Sequence, residues 1–200
     1  MEHNPCEPVT IRDMVVKNRS CRRFDQEIAV GRQALEQLAD LARLSASASN
    51  LQPLKYILSC EGETNALIFP HLGWAGYIDD WAGPAEGERP SAYIIMLGDT
   101  TITKSFGCDH GIAAQSIVLG ATEMNLAGCM IALIDRKALR ETLNIPSQYE
   151  IILAIALGWP KERIVLEGVG ADGDIRYYRD GAGVHHVPKR ALKDIVLDLP

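Results

Sequence analysis

Seven of the twenty basic side chains in this 200-residue chain fall in two short segments, although acidic residues outnumber basic ones 26 to 20. Lys17, Arg19, Arg22 and Arg23 lie near the start, and Lys189, Arg190 and Lys193 near the end. An arginine fork presents paired N–H donors to phosphate oxygens, and Ser20 adds a hydroxyl, so the set suits a small phosphorylated ligand. The competing reading is a solvated basic face paired with surface acids. A second cluster is Ser47-Ala48-Ser49-Asn50-Leu51-Gln52-Pro53. Small side chains let a flat ring approach the backbone, while Asn50 and Gln52 each carry a donor and an acceptor for the edge of a pyrimidine-like ring. Its competing reading is an ordinary polar loop.

Other chemistries lack their parts. There is no phosphate-binding Walker loop, no serine nucleophile elbow and no His-Glu-x-x-His pair. Gly168, Gly170 and Gly173 have the spacing of a dinucleotide-binding loop, but no helix or crossover follows, so they read as hairpin glycines. Cys108-Asp109-His110 reads as a helix start with Asp109 as its cap. His185 and His186 point to opposite faces if they lie on a strand, and so cannot chelate one ion together. No catalytic acid, base or nucleophile is assigned, and no metal site.

The elements that must position these groups follow from periodicity. Thr10 and Asp13 frame a capped first helix ending near Asn18. Leu35, Leu38, Leu41 and Ala42 define a second helix that stops in the small polar run at 45–50. Tyr56-Ile57-Leu58 and Tyr93 to Leu97 read as strands, the latter buried on both faces. Between them, a segment with Trp74, Tyr77 and Trp81 is broken into short turns. Asp109 to Leu126 is apolar or small almost all round, as for a central buried helix. Met130 to Ile134 and Ile151 to Leu157 are expected strands, with a helix from Asp135 to Leu143 between them, and 174–178 is an expected strand in a turn-rich tail. The mixture without regular alternation predicts an α+β fold, helices packed on a mainly antiparallel central sheet, in a single domain spanning 1–200.

A net charge of −6 argues against sequence-independent nucleic-acid binding. The longest apolar run, Ile151–Leu157, falls far short of the roughly 20 residues of a membrane span. No secretory signal is read at the N-terminus, and the five widely spaced cysteines suit reduced thiols, so the expected location is the cytoplasm.

Taken in order, Asn18-Arg19-Ser20-Cys21-Arg22-Arg23-Phe24, Ser47 to Pro53, Asp109 to Gln115, Leu126-Ala127-Gly128-Cys129 and Ala156-Leu157-Gly158-Trp159-Pro160 resemble the FMN-dependent nitroreductase family. The resemblance implies a three-layer α+β sandwich that forms homodimers, with FMN at the subunit interface. NADH or NADPH would reduce the flavin, which then passes hydride to a small organic acceptor, nitroaromatic or quinone-like, in a ping-pong cycle. By the same resemblance Arg19, Ser20 and Arg22 contact the phosphate, ribityl chain and pyrimidine edge, and Lys189 and Arg190 close on the phosphate. Ser47, Ala48 and Ser49 come from the partner subunit, Asn50 or Gln52 lies near the flavin, and Met130, Ala132 and Leu133 lay backbone amides near its N5. Arg22 and Arg190 are therefore expected to converge. Asn18 stands where the family usually has its first arginine. Trp74, Tyr77 and Trp81 are expected in packing at the dimer interface, with a wall over the flavin as the other reading. Alternatives are a different flavin reaction (fragmentation, dehalogenation or azoline oxidation) or a non-catalytic FMN-binding protein.

Overall fold

The protein is described by a computed structural model over residues 9–78 and 81–198. Helix α1 (Ile11–Lys17) starts at a capping box in which Thr10 Oγ1 accepts from the Asp13 N–H and Asp13 accepts from Thr10. Strand β1 (Phe24–Asp25), helix α2 (Arg32–Leu44), strand β2 (Leu54–Ser59), helix α3 (Gly62–Ile68) and strand β3 (Ala92–Asp99) follow. Then come helix α4 (Asp109–Glu123), strand β4 (Ala127–Ile131), helix α5 (Arg136–Thr142) and the long strand β5 (Tyr149–Pro160). The chain continues into strands β6 (Ile164–Gly168), β7 (Tyr178–Arg179) and β8 (His185–Lys189).

Strands β2, β3 and β5 pair antiparallel in that order, and the far edge of β5 carries β4 and, beyond it, β1. All eight residues of β3 are buried, as its unbroken apolar run requires of a strand covered on both faces. Alternation then divides them. Ile94 and Met96 enter one core with Leu35 and Leu38 of α2 and Ile117 of α4. Tyr93, Ile95 and Leu97 enter a second core with Ile68 of α3 and Leu139 of α5. Helix layer, sheet and helix layer make the expected three-layer α+β sandwich. On β5 an irregularity opposite Met96 and Leu97 skips Ile152, so Leu153 and Ile151 keep facing opposite cores. At Gly158 an added Cβ would lie 2.9 Å from Phe24 Cδ1, so the glycine allows β1 to close on β5.

Two strand boundaries differ from expectation. The segment expected at Met130 to Ile134 pairs instead at Ala127–Ile131, because Gly128 lies opposite Leu157 and leaves room for Val118 of α4. Ala132 and Leu133 have left the sheet. In the tail, only Tyr178 of the expected 174–178 strand pairs, as the first residue of β7, since Asp172 and Asp174 accept from nearby backbone N–H groups and fold the chain into turns. Strand β8 runs parallel to β6 and antiparallel to β7, forming a separate three-stranded sheet. Among the described residues no helix is long and apolar enough to cross a membrane.

Candidate active site

The opening basic segment runs beside β4. Ser20 bridges Gly128 in parallel, and the Cys21 N–H donates to the Gly128 carbonyl at 3.1 Å. That carbonyl points away from β5, and strand parity sends the N–H and C=O of Met130 the same way. Past Ser20 the edge of β4 is open there, next to the exposed side chains of Ser20, Met130, Ala132 and Leu133. Leu133 also packs on Gly73, and its carbonyl accepts from the Gly73 N–H at 2.8 Å.

Arg19 is half-buried. Its Nη2 donates to the Val15 carbonyl, while its buried Nε has no hydrogen-bond partner. Asn18 is tied to α4 through the Val118 carbonyl at 3.0 Å and Thr122 Oγ1 at 3.1 Å, and Lys17 Nζ donates to Asn125 Oδ1 at 3.0 Å. Neither is turned toward the β4 edge. Arg22 is 9% exposed and faces the interior. Its Nη1 lies 3.4 Å from both the Ser20 carbonyl and His185 Nε2, and its guanidinium sits 4.7 Å over the Tyr177 ring.

The second cluster forms a loop held by α4. Asp109 is not the helix cap, a position occupied by Cys108; its buried carboxylate accepts from Ser47 Oγ at 2.6 Å and from the Ala48 N–H at 3.0 Å. Ser47 Oγ in turn accepts from the Gln52 N–H at 2.9 Å. Ser49, Asn50 and Gln52 have φ of 51°, 54° and 51°, left-handed values that cost L-residues about 1–3 kcal/mol each. Ala48, Ser49, Asn50 and Gln52 are all exposed, so this strained turn is held outward by its anchors. Beside it lies a cavity of about 200 Å³ lined by Ser45, Ser47, Gln52, Tyr56 and Asp109. Burial, with Asp109 adding to it, pushes the Tyr56 phenol up to about 12, so it stays protonated. No hydrogen bond among the described residues joins this loop to the opening segment.

The expected meeting of Arg22 with Arg190 is absent within the chain. Arg22 touches the first residue of β8, and Arg190 follows its last, about 16 Å along at ~3.3 Å per residue. Lys189 and Arg190 are exposed. In the aromatic segment Trp74 departs from the expected interface packing. Trp74 is buried in the second core of its own chain against Phe69. Exposed Tyr77 lies 5.0 Å from Tyr177, and Trp81 lies under Arg179 at 4.2 Å. Glu162, which no sequence pattern singled out, is the hub of this region. Its almost fully buried carboxylate accepts from the Arg22 N–H and, at 3.0 Å, from Arg179 Nη2. Cys21 and Cys129 are buried nearby. Burial raises both thiols, Cys21 to about 12, which keeps them protonated and poorly nucleophilic.

The model of the Nitroreductase family matches residues 15–80 and 93–159, more than half of the chain. The chain belongs to the Nitroreductase family. A protein of Archaeoglobus fulgidus, provisionally named NADH dehydrogenase/NAD(P)H nitroreductase, is 24% identical over 157 residues, 74% of this chain and 84% of that one. Among solved structures, a nitroreductase family protein from Clostridium novyi NT superposes with a TM-score of 0.64 at 24% identity, over 76% of this chain and 88% of that chain. A provisionally assigned nitroreductase from Exiguobacterium sibiricum 255-15, in complex with FMN, gives 0.65 at 15% identity, over 78% and 90%. These likenesses establish the nitroreductase fold. The family match takes in the opening segment, the 47–52 loop, β4 and nearly all of β5, and it ends before the β6–β8 sheet.

Proposed function

We propose that the protein is an FMN-dependent oxidoreductase that takes hydride from NADH or NADPH and delivers it to a small organic acceptor, nitroaromatic or quinone-like. The observation that carries this reading is the open β4 edge at Met130 beside Ser20, inside the stretch matched by the Nitroreductase family. The residues present fit the ring and the chain of the cofactor. Met130 offers an outward N–H, Ser20 an exposed hydroxyl, and Arg19 a buried Nε without a partner. Bound there, FMN would supply the hydride chemistry, which explains why no side-chain nucleophile, base or metal cluster is needed. The β4 backbone, with Met130, Ala132 and Leu133, orients the ring. Arg19 and Ser20 hold the polar chain, and Lys189 and Arg190 supply cationic charge. Donor and acceptor use the same cleft in turn.

The 47–52 loop faces outward and does not reach the opening segment of its own chain, which supports its serving a second subunit in a homodimer. Exposed apolar side chains support the same assembly: Ile11 is 75% exposed, Leu192 72% and Leu197 80%. Such a surface is unfavourable in water unless covered. The free cysteines suit a reducing compartment, and we place the protein in the cytoplasm.

The test is an absorption spectrum. Purified protein, as isolated or after incubation with FMN and desalting, should be yellow, and anaerobic NADH or NADPH should bleach it. Protein that remains colourless after both treatments would overturn the proposal.

A further inference from the structure

The structure assigns Arg22 to the docking of the C-terminal β6–β8 sheet rather than to a cofactor phosphate. Its buried guanidinium is surrounded by groups of its own chain: the Ser20 carbonyl, His185 Nε2 and the Tyr177 ring. Arginine only donates, so Nε2 of His185 accepts and the ring must be the neutral tautomer protonated at Nδ1. That state is maintained by burial, which holds the His185 pKa at about 4 against the opposing pull of the Glu162 carboxylate, with Arg22, Arg179 and His186 opposing protonation further. Nδ1 of His185 finds no partner. Without the Arg22 donor the buried Nε2 would lose its hydrogen bond as well.

The Ser20 carbonyl aside, the neighbours come from one region of the chain. Glu162, Tyr177, Arg179 and His185 all lie beyond residue 159, where the family match ends. The backbone of Arg22 is fixed by Glu162, which also fixes Arg179, and Arg179 covers Trp81. Tyr177 meets Tyr77, whose N–H reaches the Tyr177 hydroxyl at 3.4 Å. One buried arginine thus joins the opening segment to the C-terminal sheet, and that sheet is joined in turn to the 74–81 segment. Arg22 is a positioning residue: by seating Tyr177 and His185 it holds the C-terminal sheet, and with it the Tyr77–Tyr177 contact, against the body of the protein.

The assignment rests on the proposed cofactor only for its choice of probe. Arg22→Met and Tyr177→Leu would be compared with the unaltered protein by FMN fluorescence titration and by hydrogen exchange. Both variants should bind FMN within about threefold of the parent, while exchange in 177–189 accelerates about tenfold or more and β3 is unchanged. A tenfold or greater loss of FMN affinity in Arg22→Met, the scale of a lost charged hydrogen bond, would overturn the assignment. Unchanged exchange in 177–189 in both variants would overturn it equally. If the parent itself binds no FMN, the cofactor proposal fails while the exchange result still decides the role of Arg22.

Discussion

The two sheets of this protein are held together by different forces. The central sheet is covered on both faces by aliphatic side chains, and Ile94, Ile95, Met96 and Ile155 have no exposed surface. Among the described residues, none from the C-terminal sheet enters either apolar core. His186 lies between Glu167 at 3.0 Å and Asp180 at 3.2 Å and stacks on Tyr178, and the sheet is fastened to the body through Arg179, Glu162, His185 and Arg22. Hydrophobic burial is indifferent to pH and is strengthened by many salts, whereas ion pairs and protonation-dependent contacts are not. The difference separates a scaffold that sets the β4 edge from an attachment whose docking is conditional.

Breaking the pins of each region should expose that contrast. Glu162→Ala removes the one carboxylate facing Arg179, and leaving such a buried charge unpaired costs about 3–5 kcal/mol. Hydrogen exchange should place the loss in 162–189. Ile94→Ala leaves a cavity in the first core, with a cost of about 2–5 kcal/mol that appears in global thermal unfolding instead. Gly158→Ala forces its Cβ onto buried Phe24, and overpacking of this kind costs about 1–3 kcal/mol, confined to the β1–β5 edge.

The pH dependence of the adjacent histidines sharpens the comparison further. His186 is raised above 6.5 by its bonds to Glu167 and Asp180, so its contribution is complete below pH 6.5 and disappears as pH rises through the raised value. His185 is lowered from 6.5 to about 4, chiefly by burial, so its contribution is complete above 6.5 and disappears as pH falls toward 4. Protection of β8 against exchange, corrected for intrinsic pH effects, should therefore be greatest near pH 6.5, and His186→Gln should abolish the alkaline loss only. The smallest effect expected is that of salt. Raising it to about 0.5 M shortens screening to a few ångströms and should weaken protection at the partly exposed His186 with none lost in β3.

The same division explains how much the sequence disclosed. The Thr10–Asp13 capping box, the 3.6-residue rhythm of Leu35, Leu38 and Ala42, and the unbroken apolar run of β3 are local signals, and each produced its element. The polar character of the 47–52 loop was legible too. Its anchor was not, because Asp109 in a helix start looks like a cap whether or not it reaches 61 residues back to Ala48. The offset of β4 was set by the fit of Gly128 against Leu157 and Val118, a contact between distant segments. Glu162 followed no periodic pattern, and the parallel pairing of two five-residue strands, β6 and β8, has no short-range signature. Arg22 was legible as a special residue, but the burial that redirects it belongs to the tail.

The central claim is that the β4 edge and the exposed 47–52 loop receive the flavin, and hydrogen exchange of the protein with and without FMN tests it directly. Added FMN should slow exchange at Ser20, at 130–133 and at 48–52, the last through the partner subunit, while β3 remains as it was. Saturating FMN that leaves all three segments unchanged would contradict the account.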